Sequence, residues 1–132
     1  MTTEQLKPNG VGVGRILKAT KCSYQGFCAA YKHESAFRQE LLLCAILLPF
    51  SFVLATSSGH WVVLVCSLLF LLFAEVVNSA IEALADQIST DIHELIGRAK
   101  DLGSLAVLIA LTVIIVTWGE AILSIIGWID QQ

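Results

Sequence analysis

"WVVLVCSLLFLLFAEVVNSAIEALAD", Trp61 to Asp86, decides how this chain is read. Its first half is as apolar as a lipid tail. Its second half carries Glu75, Asn78, Glu82 and Asp86 at intervals of three, four and four residues. At that spacing an α-helix stacks all four on one face. A solvated helix would scatter its charges, and the three preceding turns would not be so apolar.

Composition places the stretch in a membrane. The chain has 132 residues, 56% of them hydrophobic and 14% charged, with a mean hydropathy of +0.76. A soluble domain carries about 25% charge. The length suits one domain, residues 1–132. A net charge of −3 excludes a nucleic-acid partner, which needs a basic face.

Working outward, three apolar stretches emerge. Leu41 to Ala55 extends backward to Ser35, giving a first span over 35–55. Trp61 to Leu84 gives a second. Leu102 to Ile129, broken by Gly103, Gly119, Glu120 and Gly127, gives a third over 102–127. Each approaches the ~20 residues a bilayer requires. A soluble bundle would need polar outer faces that these segments lack.

Before the first span lies "GRILKATKCSYQGFCAAYKHE". It has no short apolar core and no small-residue cleavage site, so no signal peptide is expected. Leu17, Tyr24, Phe27 and Tyr31 fall near one helical face, and Arg15, Lys18 and Lys21 elsewhere. This predicts an amphipathic helix over 15–32 lying on the membrane surface. The plainer alternative is a disordered basic tail. The fold class expected is therefore an all-α membrane protein, a surface helix followed by three transmembrane helices.

Charge sets the orientation. Lys7, Arg15, Lys18, Lys21, Lys32 and Arg38 precede or enter the first span. "TSSGH" between the first two spans has neither Lys nor Arg; the next connection has Arg98 and Lys100. The positive-inside rule puts the N-terminus and the second connection in the cytoplasm, and the C-terminus outside. The acidic stripe then lies at the cytoplasmic end of the second span.

Other motifs carry less. "GVGVG", Gly10 to Gly14, has no preceding strand and reads as a lead into the surface helix. His33-Glu34 and His93-Glu94 lack the second histidine of HExxH. Cys22, Cys28, Cys44 and Cys66 show no CxxC spacing and read as buried, reduced apolar residues. His60, Trp61, Trp118 and Trp128 suit interfacial or packing positions.

Polar residues nevertheless converge on the cytoplasmic interface. Glu34, Arg38, Gln39 and Glu40 start the first span, and the stripe ends the second. Asp91, His93, Glu94, Arg98, Lys100 and Asp101 lead into the third. Mutual pairing where helices emerge explains Glu34 with Arg38, four residues apart. It explains Glu75 poorly, because Glu75 lies about 16 Å deeper than Asp86. An ionisable group at that depth points to function. Glu34 and Glu82 lie where a hard cation can reach, and Mg²⁺ is held by one or two carboxylates plus substrate phosphates. Lys100 and Arg15 can hold phosphate charge. Glu75 is placed to meet a lipid hydroxyl, so a phosphoryl group between them would join an aqueous nucleotide to a membrane alcohol.

"ESAFRQE" (Glu34–Glu40), "EVVNSAIEALAD" (Glu75–Asp86) and "HELIGRAKDLGSLAVL" (His93–Leu108), in that order, closely resemble the prokaryotic diacylglycerol kinase family. The resemblance runs from "GRILKA" to the end of the third span. It implies a homotrimeric integral-membrane lipid kinase of the bacterial inner membrane, periplasmic at its C-terminus, acting in phospholipid metabolism. It implies transfer of the ATP γ-phosphate to diacylglycerol with Mg²⁺ as cofactor. By the same resemblance Glu75 is the catalytic base, Glu34 and Glu82 carry the metal, and Asn78 orients Glu75 or a phosphate oxygen. Arg15, Glu34, Glu82, Asp91, His93, Lys100 and Asp101 match nucleotide contacts. Arg15, Arg38, Gln39, Glu40, Glu75, Ser104 and Trp118 match lipid-substrate positions. The N-terminal helix departs most, with Cys22 where the family has a tyrosine. A Gram-positive branch phosphorylates undecaprenol and shows Thr where this chain has Ser79, so the motif leans toward diacylglycerol, with undecaprenol as the alternative.

A trimer also has a physical argument. Three helices offer little interior, and a carboxylate stripe in the membrane must face protein or water. Ala80, Ala83, Ala106 and Ala110 would let helices approach closely. A cation or proton channel is the competing class. It would need polar residues across the whole bilayer, and the outer half of the second span offers only Ser67.

Overall fold

The computed structural model describes residues 12–88 and 93–129, with side chains to Gly127. Among them there are four helices and no strand: α1 Val13–His33, α2 Ser35–Leu54, α3 Ser58–Ile88 and α4 Glu94–Ile129. The last three are long and apolar enough to cross a membrane. The all-α architecture is as expected, but α3 and α4 are longer than the apolar runs alone. Each continues through its polar end as unbroken helix, because nothing there interrupts helical hydrogen bonding.

α1 buries no residue within the chain. It begins where Gly12 adopts φ 65°, a left-handed conformation that glycine accepts without a Cβ clash. It ends at Glu34, whose extended backbone (φ −104°, ψ 113°) separates α1 from α2 by a single residue. The Glu34 N–H still donates to Ala30 O at 2.9 Å. Arg38 does not pair with Glu34 as the spacing predicts. Its guanidinium donates to the carbonyls of Tyr31 at 2.9 Å and Lys32 at 3.3 Å. The unsatisfied carbonyls at a helix C-terminus attract a cation, and Arg38 satisfies two of them. Phe27 and Phe37 close the corner edge to face, 5.6 Å between centroids.

"TSSGH" is less a loop than a helix cap. Ser57 Oγ accepts from the His60 N–H at 3.1 Å, so α3 starts three residues before the expected Trp61. Trp61 is drawn inward, its Nε1 donating to Ser51 Oγ at 3.0 Å. His60 takes Thr56 on Nδ1 at 3.1 Å and brings Nε2 to 3.3 Å from Glu120 at the same end of α4.

The core lies between α2, α3 and α4. It contains Cys44, Leu64, Leu68, Leu71, Ala74, Ala110, Ile114, Trp118 and Ala121. Small residues at Ala74, Ala110 and Ala121 allow close approach of α3 and α4. Of the alanines named from sequence, Ala110 is buried on this seam, whereas Ala80 and Ala83 are exposed and line a groove against α1. The expectation of buried cysteines holds for Cys44 alone; Cys22, Cys28 and Cys66 are exposed. Cys22 and Cys28 sit on a helix with no covering layer, and Cys66 points off the packed face of α3.

Candidate active site

The buried residues of α3 include Leu64, Ser67, Leu68, Leu71, Ala74, Glu75 and Asn78. They recur every three or four positions. The acidic stripe therefore continues the core stripe, so the same helix face that packs the apolar half turns Glu75 toward α2 and Asn78 toward α4. Glu75 is only 3% exposed, within a helix long enough to span a bilayer.

Register between the antiparallel helices is set by a few contacts. Cys44 Sγ of α2 lies 3.7 Å from Leu68 O of α3. One turn back along α2 from that contact is Glu40, and two turns onward along α3 is Glu75. The two carboxylates bear on each other electrostatically, and the charges of Glu34 and Glu82 also reach Glu75. Glu34, Glu40 and Glu82 thus each lie within electrostatic reach of Glu75. Glu40 Oε2 is buried with no hydrogen-bond partner. Sequence reasoning assigned Glu40 to the lipid and missed this proximity. The available signal was its helical spacing from Phe37, Cys44 and Ser51, the buried face of α2.

Across the α3–α4 seam, Trp118 Nε1 donates to Ser67 Oγ at 3.1 Å, and Lys100 Nζ to Asp86 Oδ1 at 2.6 Å. Asn78 sits between these ties. Its Nδ2 donates to Glu82 Oε1 at 3.2 Å, so the bond Asn78 makes within the chain is to Glu82, where Glu75 or a phosphate oxygen was expected. The one-turn offset puts both groups on one ridge, which favours that bond. Asn78 Oδ1 is buried and unpartnered. Lys100 is half-buried, paired to Asp86, and within reach of the charge on Glu82.

The other sequence-named residues stand apart. Arg15 is exposed near the start of α1, about 28 Å of helix from Glu34. Arg38, Gln39, His93, Asp101 and Ser104 are exposed. His93 stands just before α4 and its carbonyl accepts from the Gly97 N–H at 2.9 Å. Trp118 is 5% exposed, in the core. Asp91 lies outside the described residues.

Beside Glu34 a cavity of about 400 Å³ runs between α1 and α3, lined by Ala29, Ala30, Glu34, Val76, Ser79 and Ala83 among others. Ser79 Oγ lacks a hydrogen-bond partner. Among the described residues, no three His, Cys, Asp or Glu side chains are arranged to hold a metal ion by themselves. A cation here would take one or two carboxylates and complete its shell from a ligand or water, as Mg²⁺ commonly does.

A diacylglycerol kinase of Pseudomonas aeruginosa is 46% identical over 112 residues, covering 85% of this chain and 91% of its own. One from Haemophilus influenzae is 42% identical over 108 residues, covering 82% and 92%. One from Escherichia coli is 43% identical over 110 residues, covering 83% and 90%. The family model described as prokaryotic diacylglycerol kinase matches residues 21–122, from the middle of α1 through α4 beyond Trp118. That match takes in Glu34, Glu40, Glu75, Asn78 and Glu82 together with the helices that carry them, and the chain belongs to the prokaryotic diacylglycerol kinase family.

Proposed function

We propose that this protein transfers the γ-phosphate of ATP to diacylglycerol, giving phosphatidic acid, with Mg²⁺, at the cytoplasmic face of the inner membrane. Family membership supports lipid-kinase activity on diacylglycerol. The observation that carries the chemistry is Glu75, a carboxylate 3% exposed at membrane depth among three others. Such placement is too unfavourable electrostatically to serve packing alone.

The acceptor alcohol approaches from the lipid side and Glu75 takes its proton. The alcohol oxygen bonds to the γ-phosphorus as the bond to the β–γ bridging oxygen breaks, and ADP leaves. Phosphoryl transfer has a loose transition state, so positioning and charge neutralisation carry most of the acceleration. The oxygen donors of Glu34 and Glu82 suit a hard cation, and the unpartnered Asn78 Oδ1 and Glu40 Oε2 mark a locale short of positive charge. Bound Mg²⁺ supplies neutralisation of the phosphates that these carboxylates would otherwise repel. Asn78 holds Glu82 in the orientation it needs, and Lys100, exchanging Asp86 for phosphate, adds a cation. Arg15, Asp91, His93 and Asp101 belong to the nucleotide side, and Arg38, Gln39 and Ser104 to the lipid side, on the strength of the family motif; Trp118, which the same motif sets near the lipid, is buried against Ser67 and packs the core.

The assembly is a homotrimer with the N-terminus cytoplasmic and the C-terminus periplasmic. The distribution of Lys and Arg supports the orientation. Exposed Leu69, Phe70, Phe73, Val76 and Val77 on α3 are the apolar surface that lipid or neighbouring subunits would cover. A channel is disfavoured by Ser67, the polar side chain of α3 between His60 and Glu75, which is buried and bonded to Trp118.

The test is ATP consumption by the purified protein in detergent micelles. Turnover that requires diacylglycerol and Mg²⁺, with phosphatidic acid as product, is the expected result. Turnover with undecaprenol but not diacylglycerol would reassign the acceptor. No ATP consumption with either alcohol would overturn the kinase reading.

A further inference from the structure

Gly103 is buried in α4 and faces Asn78 across the seam with α3. A Cβ added there would fall inside van der Waals contact with Asn78 Oδ1. Its next neighbours, Asn78 Cγ at 3.4 Å and Cα at 3.6 Å, are ordinary contacts. The other described glycines have nothing nearer than 4.0 Å, so Gly103 alone is required for space. Glycine is the poorest helix former after proline, which makes a mid-helix glycine with no spatial role unfavourable.

The Asn78 amide has one orientation available. Glu82 Oε1 can only accept, so Nδ2 must face it and Oδ1 must face Gly103. We propose that Gly103 is a positioning residue of the kinase site: its missing side chain is the recess that holds the Asn78 amide so that Nδ2 orients Glu82. A methyl group would push Oδ1 out, rotate the amide and break the Asn78–Glu82 bond. The proposal rests on the roles assigned to Asn78 and Glu82 above. It concerns no direct contact between Gly103 and substrate.

The experiment compares wild type, Asn78→Ala, Gly103→Ala and the double variant. Kinetics with Mg-ATP and with diacylglycerol are measured alongside thermal midpoints. Losing a hydrogen bond to a charged group predicts that Gly103→Ala raises the KM for Mg-ATP about tenfold or more. The KM for diacylglycerol stays within about twofold of wild type. Because Gly103 acts through Asn78, adding Gly103→Ala to Asn78→Ala causes no further loss, as coupled sites behave in a double-mutant cycle. Additive losses, or wild-type kinetics for Gly103→Ala beside an impaired Asn78→Ala, overturn the role of Gly103 and leave that of Asn78 standing. A fully active Asn78→Ala overturns both. If Gly103→Ala alone fails to fold, the double variant decides, since it lacks Oδ1: folding supports the recess, and failure to fold overturns it.

Discussion

Glu75 is the residue on which the chemistry turns. Gln has nearly the same shape and hydrogen-bonding reach but cannot take a proton. A general base contributes roughly 10²–10⁴-fold, so Glu75→Gln should lower kcat by at least about 100-fold. The thermal midpoint should not fall, because the substitution removes a buried carboxylate that Glu34, Glu40 and Glu82 repel. Normal turnover in the folded variant would remove Glu75 from the role of base. Glu34 and Glu82 make a separate claim. Glu34→Gln and Glu82→Gln should each raise the Mg²⁺ and Mg-ATP concentrations for half-maximal rate, with the diacylglycerol response little changed. Glu94→Gln, exposed in the first turn of α4, is the control. Titration curves for Glu34→Gln and Glu82→Gln that overlay the wild type, or a larger shift for Glu94→Gln, would refute the metal assignment.

At the scale of elements, the apolar runs announced α2, α3 and α4, and helical spacing alone located the acidic stripe. Helix ends were less legible. Capping by Ser57 and the continuation of α3 to Ile88 depend on local hydrogen bonds that hydropathy does not record. Partner choice was least legible. Arg38 capping α1, Asn78 choosing Glu82 and Glu40 nearing Glu75 all follow from how helices meet, which one-dimensional spacing underdetermines. Trp118 is the sharpest case. Family resemblance sets it near the lipid, whereas the fold buries it against Ser67, eight residues or about 12 Å along α3 from Glu75. Trp118→Phe keeps the ring packing and loses the Nε1–Oγ bond. It should destabilise the protein by about 1 kcal/mol, with the KM for diacylglycerol unchanged. A raised KM at unchanged stability would return Trp118 to the lipid site.

For the molecule as a whole, the exposed cysteines report topology. Cys22 falls on the Arg15–Lys18 side of α1, whereas Cys28 shares the face of Leu17, Tyr24 and Tyr31. A membrane-impermeant maleimide should therefore label Cys22 in inverted inner-membrane vesicles and not in spheroplasts. Cys28 and Cys66 should be shielded by lipid and Cys44 by the core. Labelling of Cys22 from the periplasmic side would invert the proposed orientation. The three-residue connection Ala55–Ser57, tied at both ends, has a meaning for biogenesis as well. Chain emerging from a ribosome cannot leave α2 settled in lipid while α3 is still outside, because no slack separates them. The two must partition as one hairpin, with the more apolar α3 drawing in the helix that carries Glu40 and Pro49. Nascent chains arrested before α3 clears the ribosome should leave α2 extractable by carbonate, and chains arrested after it should not.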